Sequence, residues 1–551
     1  VEKLWLQHYQ QGVPHEINMN QYSSIVELFE ESCSKYKEQI SYTNMGSGIS
    51  YEELDRLSLQ FATYLQQLRL KRGTRIALMM PNLLQYPIAL FGALRAGMVV
   101  VNTNPLYTSD EVIHQMNDAG VELIVVLANF AHTVEKALPH IPTLKYVMIT
   151  QIGDIFPFLK RILVNNVVRH VKKMVPAYRI PNSVEFRTAL RQGAQSQFKP
   201  VSITLDDIAF LQYTGGTTGI AKGAMLSHGN MIANVLQASA WISASAIGKN
   251  EIIVTALPLY HIFSLTANCL TFLRLGAKNI LITNPRDLSR FIDEIKHTGF
   301  TAITGVNTLF NGLLNHPKSD EIDFSHLKLA LAGGMALQKS VSLKWREKTK
   351  SRILEAYGLT ETSPAVTINP MYLDEYNGSI GLPLPSTSIS IRNDEGNELP
   401  LGEKGELCVK GPQVMSGYWQ RPDETSLVFW PDGYLRTGDI ATVDEKGFVY
   451  LVDRKKDMIL VSGFNVYPNE VEQVISMQPG VLEVGVIGVQ EEDASEKVKA
   501  CIVKRDPNLT ADEVISHCRQ HLTAYKIPKV VEFYNELPKS NVGKILRRAL
   551  R

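Results

Sequence analysis

The sequence predicts an α/β protein with a large N-terminal domain of parallel-type sheets covered by helices, a small antiparallel β-barrel or sheet, and a separate α+β C-terminal domain. Three changes of texture along the 551 residues carry that expectation. Between residues 51 and 360, short apolar runs at 75–79, 123–127, 280–282 and 327–331 alternate with longer helical stretches, as parallel strands with helical crossovers do. Between 379 and 452 the chain turns to short alternating strands such as Glu406-Leu407-Cys408-Val409-Lys410. Turn clusters at Asn393-Asp394-Glu395-Gly396-Asn397 and Asp444-Glu445-Lys446-Gly447 separate them, so an antiparallel unit is expected there. After the charged junction Asp453-Arg454-Lys455-Lys456-Asp457 the pattern restarts. It reads as a helix near 469–477, strands near 484–489 and 498–503, a helix near 511–522 and a strand at 530–533. The expected division is 1–452, with 379–452 a β-rich subdomain, and 453–551 beyond a hinge at the junction.

Composition narrows the function classes. With 56 basic against 55 acidic side chains, 45% hydrophobic and 20% charged residues, the chain has the balance of a soluble globular protein and no global signature of nucleic-acid binding. Cys33, Cys269, Cys408, Cys501 and Cys518 are scattered and never in a Cys-x-x-Cys spacing, which argues for a reducing cytoplasm over a disulfide framework or a zinc site. Residues 1–12 lack the apolar core of a signal peptide. The uncharged runs 76–94 and 252–273 approach membrane-span length, but Pro81, Asn82 and Pro87 break the first and Pro258, Tyr260 and His261 the second. Buried strand-turn-helix units are expected at both.

Residues 155–184 contain no acid, yet hold Lys160, Arg161, Arg169, Lys172, Lys173 and Arg179, with Phe158, Leu159, Ile162, Leu163, Val167, Val171, Met174 and Val175 recurring near helical spacing. Two readings stand open: a basic amphipathic helix lying on an anionic membrane surface, or a surface helix whose apolar stripe faces its own domain.

The chemistry concentrates in Tyr213-Thr214-Gly215-Gly216-Thr217-Thr218-Gly219-Ile220-Ala221-Lys222-Gly223, which holds four glycines, three threonines and one lysine. Glycines let backbone N–H groups approach an anion, threonine hydroxyls add neutral donors, and lysine adds charge, so a phosphate-holding loop is expected. Lys222 is followed by Gly223 rather than Ser or Thr, which excludes a Walker loop. Further along, Tyr357-Gly358-Leu359-Thr360-Glu361-Thr362 offers an aromatic face, a hydroxyl and a carboxylate suited to Mg2+ beside nucleotide phosphates. Tyr434-Leu435-Arg436-Thr437-Gly438-Asp439 places a carboxylate where it can accept ribose hydroxyls, and Pro538-Lys539-Ser540-Asn541-Val542-Gly543-Lys544-Ile545 sets a lysine on a Pro-bounded loop. Each segment alone also fits an ordinary turn.

Together and in this order, with Leu257-Pro258-Leu259-Tyr260-His261 and Ala332-Gly333-Gly334-Met335, they resemble the adenylate-forming superfamily over nearly the whole chain, and within it the bacterial long-chain fatty acid CoA ligases. The resemblance implies ATP, Mg2+ and coenzyme A as partners, with a mobile C-terminal domain hinged at Asp453. It implies that the loop of Thr214, Gly215, Gly216, Thr217, Thr218, Gly219 and Lys222 closes over the ATP phosphates and that Thr214 and Glu361 hold Mg2+. Tyr357 would stack on adenine near Gly334, with Gly358 and Thr360 beside it, and Asp439 and Arg454 would bind the ribose. Lys544 would reach the bridging oxygen between acyl group and α-phosphate during adenylation, and Gly463 would line the CoA channel. His261, also a catalytic candidate, stays open between orienting substrate and being a buried, hydrogen-bonded side chain.

The sequence departs from that pattern at Gly215 and Ala221, where many relatives carry a hydroxyl residue and proline, and at Arg436, where the fatty-acid ligase signature commonly has histidine. The absence of any acid from 252 to 286 argues against an amino-acid substrate, whose ammonium needs a counter-charge, and favours an apolar acyl chain near Phe263, Leu265, Ala332, Gly333 and Met335. The expected activity is ATP-dependent conversion of long-chain fatty acids to acyl-CoA through an acyl-adenylate, on the cytoplasmic face of a membrane, with self-association left open. The alternatives are a medium-chain or aryl-CoA ligase, or an acyl-AMP ligase loading a carrier protein.

Overall fold

The structure, a computed structural model, describes residues 3–215, 221–244, 247–248, 250–461, 464–490 and 496–551. Among these residues the strands form five sheets. The first runs Val184–Glu185, Tyr146–Thr150, Val121–Leu127, Arg75–Met79, Val99–Asn102, Ile208–Gly215 and Ala221–Ser227 in spatial order. All its pairings are parallel except the last, an antiparallel hairpin. Strands this apolar, buried on both faces, need helices on each side. Helices Ile25–Lys35, Tyr51–Gln67 and Gln85–Arg95 supply one cover, with Phe29 stacked on Phe91 at 4.0 Å between ring centres.

A nine-stranded sheet follows, with Ile353–Gly358, Leu329–Ala332, Ala302–Gly305, Ile252–Thr255, Lys278–Leu281 and Ile40–Asn44 as its parallel centre and antiparallel strands at each edge. Both uncharged runs resolve into a strand, a turn and a helical stretch within these two sheets. Among the described residues no helix is long and apolar enough to cross a membrane.

Of the two forms expected for 379–452, barrel or sheet, the structure shows four antiparallel strands: Ser388–Arg392, Gly405–Lys410, Leu435–Val443 and Val449–Arg454. Leu407, Val409, Ala441 and Val449 pack them onto Leu331, Leu354, Val366 and Ile368 of the nine-stranded sheet. The smaller C-terminal domain then carries helix Pro468–Ser476, strands Val481–Gln490 and Glu496–Lys504, helix Ala511–His521 and strand Val530–Tyr534. Each lies within a few residues of its expected place, because each run alternates or repeats cleanly and ends at a Pro, Gly or capping residue. Thr510, for example, caps its helix in a box with Glu513.

One loop of this smaller domain reaches back into the larger one. Gly543 has φ +82°, a left-handed conformation that glycine adopts without strain, and its carbonyl accepts from Thr308 Oγ1 at 2.7 Å. Asn311, on the same helix Asn307–Asn315, donates to the Leu482 carbonyl at 2.8 Å. These contacts bring Lys544 to the carboxyl ends of the parallel strands.

Candidate active site

A cavity of about 680 Å³ opens at those strand ends. In α/β sheets this is where ligands bind, because the loops leaving each strand diverge there. Its walls hold Thr214, Lys222, His261, Gly334, Tyr357, Gly358, Thr360, Glu361, Asp439, Arg454 and Lys544. Residues 330 positions apart thus share one chamber. Gly215 pairs with Ala221 at the end of the hairpin. Gly216, Thr217, Thr218, Gly219 and Gly463 lie outside the described residues.

The hairpin register sets Thr214 directly opposite Lys222, so hydroxyl and ammonium flank the loop from both strands. Tyr213 is tied down beside them, its hydroxyl donating to Asp118 Oδ2 at 2.6 Å. The segment 417–425 extends the hairpin. Met225 N–H donates to the Gly417 carbonyl at 2.9 Å, and Trp419 N–H to the Gly223 carbonyl at 2.8 Å. Tyr418 therefore sits against the lysine, whose Nζ is 5.4 Å from the ring centre. The Tyr418 hydroxyl donates to Glu361 Oε1 at 2.7 Å.

Glu361 occupies a one-turn helix, Thr360–Thr362, held by Met415 N–H donating to its carbonyl at 2.8 Å. Just before it, a Cβ at Gly358 would lie 2.0 Å from the Pro364 carbonyl oxygen, so no larger residue fits. Thr214 and Glu361 present hard oxygen donors to the same cavity. One carboxylate and one hydroxyl suit Mg2+, which takes its remaining ligands from water and substrate phosphates. The donor set fits that ion.

Asp439 is 4% exposed, and the cost of burying its charge pushes its carboxyl up. The Tyr357 hydroxyl donates to Oδ2 at 2.6 Å, and Arg454 Nε lies 3.5 Å from Oδ1. Glu406 anchors the approach to Asp439, its Oε1 accepting from Gly438 N–H at 3.1 Å and its Oε2 from Arg436 at 3.0 Å. The Arg436 guanidinium also covers Trp430 at 4.5 Å. At this departure from the fatty-acid ligase signature, the arginine thus braces the strand that carries Asp439.

Lys544 enters from the opposite side. Ser540 Oγ accepts from its backbone N–H at 3.1 Å, closing a tight loop. Burial first, then the nearby Arg454 guanidinium, lower its amine to about 8, while Asp439 works the other way. His261 is lowered to about 4 by burial and by Lys544, so its imidazole is neutral near pH 7. Its Nδ1 accepts from Phe263 N–H at 3.3 Å, capping the helix that starts at Ile262, a structural use for the side chain. Beyond it the cavity turns apolar, with Ile242, Phe263, Ala267, Phe272, Leu329 and Leu331 on its walls.

Sequence reasoning missed Tyr418, Glu406 and Glu424. A lone tyrosine or glutamate carries no spacing signal, and only the pairing of 417–425 with the hairpin brings Tyr418 and Glu424 to Lys222.

The family described as AMP-binding enzyme matches residues 29–419, and the AMP-binding enzyme C-terminal domain matches 470–544. The long-chain-fatty-acid–CoA ligases of Yersinia pestis and Salmonella typhi are each 54% identical over 552 residues, covering 100% of this chain and 98% of theirs. The crystal structure of ATP bound MatB from Rhodopseudomonas palustris superposes with a TM-score of 0.78 at 28% identity, covering 96% of this chain and 98% of that one. The chain belongs to the AMP-binding enzyme family, among the long-chain-fatty-acid–CoA ligases.

Proposed function

We propose that this chain converts long-chain fatty acids to acyl-CoA in two half-reactions, using ATP, Mg2+ and coenzyme A, as adenylate-forming CoA ligases do. The observation that carries the reading is a single cavity joining an apolar arm at Phe263, Ala267 and Leu331 to Lys222, Glu361, Asp439 and Lys544. A fatty carboxylate whose tail fills the arm has its head among the phosphate-binding groups.

In the first half-reaction a carboxylate oxygen bonds to the α-phosphorus, the bond to the bridging oxygen breaks, and pyrophosphate leaves. Lys222 and Lys544 sit where charge grows on the phosphoryl oxygens and stabilise it. Thr214 and Glu361 would hold Mg2+, which would neutralise charge on the phosphates when bound. Asp439 and Arg454 hold the ribose, and Tyr357 fixes the Asp439 carboxylate while its ring faces the base beside Gly334, Gly358 and Thr360. In the second, the CoA thiol gives up its proton to solvent, its sulfur bonds to the acyl carbon, and the bond from that carbon to the phosphate oxygen breaks as AMP leaves. We assign 1–452, with 379–452 its β-rich part, and 453–551 as the two bodies that move between these steps, hinged at Asp453, with Gly463 then facing CoA.

The test is product identity. Palmitate, ATP and CoA are expected to yield palmitoyl-CoA, AMP and pyrophosphate in equal amounts. ADP and phosphate as products would overturn the reading.

The same proposal places the enzyme at a membrane, supported by a surface with two apolar sides. Helix Phe158–Asn166 and the following turn Val167–Val171 pack Val164 and Val168 against the core. The other side leaves Phe158, Leu159, Leu163 and Val171 outward, each more than 60% exposed, beside the exposed Arg169, Lys172 and Lys173. An apolar stripe facing its own domain accounts for only the first side. Anionic lipid suits the second, each basic residue adding about 1 kcal/mol. Leu159→Ser with Leu163→Ser, or Lys172→Glu with Lys173→Glu, is expected to cut co-sedimentation with phosphatidylglycerol vesicles several-fold. Unchanged sedimentation in both double variants would refute the surface.

A further inference from the structure

Lys222, the cation of the phosphate loop, has a resident partner. Its Nζ forms an ion pair with Glu424 Oε2, although the lysine side chain is only 11% exposed and the glutamate 33%. Glu424 lies on the short helix Pro422–Val428, which continues the segment paired with the hairpin. That helix is fastened at its start. Arg421 NH2 lies 2.5 Å from Asp118, which also accepts from Tyr213, and Thr425 Oγ1 accepts from Tyr418 N–H at 3.0 Å. The carboxylate is therefore delivered to Lys222 by the backbone that seats Tyr418, not by a loose side chain crossing solvent.

We infer that Glu424 is the standing counter-charge of Lys222, which holds the lysine in the site before nucleotide arrives and which the triphosphate must displace. This rests on the reading of the cavity as a nucleotide site. A carboxylate and a phosphate cannot both sit on one half-buried ammonium without repelling each other. The phosphate carries more charge and wins, and Glu424, its own side chain one-third exposed, has solvent to withdraw into. Until it does, only the fraction of molecules with a free lysine binds nucleotide, and apparent affinity falls by that fraction. The benefit is a lysine held in place, next to Tyr418 and through it Glu361. Glu424 is a positioning residue and touches no reacting atom.

The experiment is equilibrium binding of a non-hydrolysable ATP analogue with Mg2+, without fatty acid or CoA, to wild-type protein, Glu424→Gln and Glu424→Ala. Glutamine keeps the shape and removes the charge; alanine guards against a mispacked amide. Both variants are expected to bind about five- to tenfold more tightly, with KM for ATP lowered alike and kcat not raised. Affinity unchanged or weakened in both would overturn the assignment. Absence of binding by the wild-type chain would instead overturn the nucleotide reading itself.

Discussion

Lys544→Ala is expected to slow acyl-adenylate formation by about 10²–10³-fold, the usual cost of removing a preorganised charge from a water-poor site. Conversion of supplied acyl-adenylate to thioester should stay within a few-fold of wild type. The asymmetry follows from placement. Lys544 enters the chamber on a loop of the smaller domain, which in the proposed mechanism turns away before CoA reaches the acyl carbon. Burial and Arg454 hold the amine at about 8, so the free enzyme loses this charge as pH rises through that value. Adenylation, read as kcat/KM for ATP, should fall above about pH 8 in wild-type protein. Lys544→Arg should carry that limb to higher pH, since a guanidinium stays charged. Equal loss of both half-reactions in Lys544→Ala would remove the lysine from its role.

Arg547→Met is expected to destabilise the C-terminal part of the full-length protein by about 3–5 kcal/mol, the cost of stripping the partner from a buried charge. Arg547 NH1 lies 3.0 Å from Asp453 Oδ1, and NH2 lies 2.9 Å from Glu472 Oε2 and 2.6 Å from Asn469 Oδ1. Asp453 is 1% exposed and spends its other oxygen on Asn469 N–H at 2.7 Å. Removing the guanidinium leaves the buried Asp453 carboxylate and the partly buried Glu472 carboxylate without their shared cation. A lowered urea midpoint, with cleavage of 453–551 under limited proteolysis, would match. A loss of unfolding free energy below about 1 kcal/mol would mean solvent or repacking compensates.

How much of this was legible depended on the range of the forces. Strands 75–79, 406–410 and 498–503 were readable because alternation and apolar runs are local, and their ends carry Gly, Pro or cap residues. The Thr214, Glu361, Asp439 and Lys544 segments were readable because each packs several chemistry-bearing residues into a short stretch. Tyr418 and Glu424 were not, since Lys222, which both meet, is far away in sequence and is brought to them by strand pairing. Arg436 showed only as a departure; its bond to Glu406 depends on the register between two strands. For Leu159 and Leu163, helical spacing gave amphipathicity but could not say that the helix has a second apolar side.

The central claim is that one cavity adenylates a fatty acid and then hands it to CoA. Its most direct test measures pyrophosphate release and CoA-thioester formation side by side, with palmitate, octanoate, benzoate and mixed amino acids as acyl donors. Palmitate is expected to drive both signals in equal amounts, and amino acids neither. Pyrophosphate without thioester, or turnover confined to benzoate or octanoate, would contradict it.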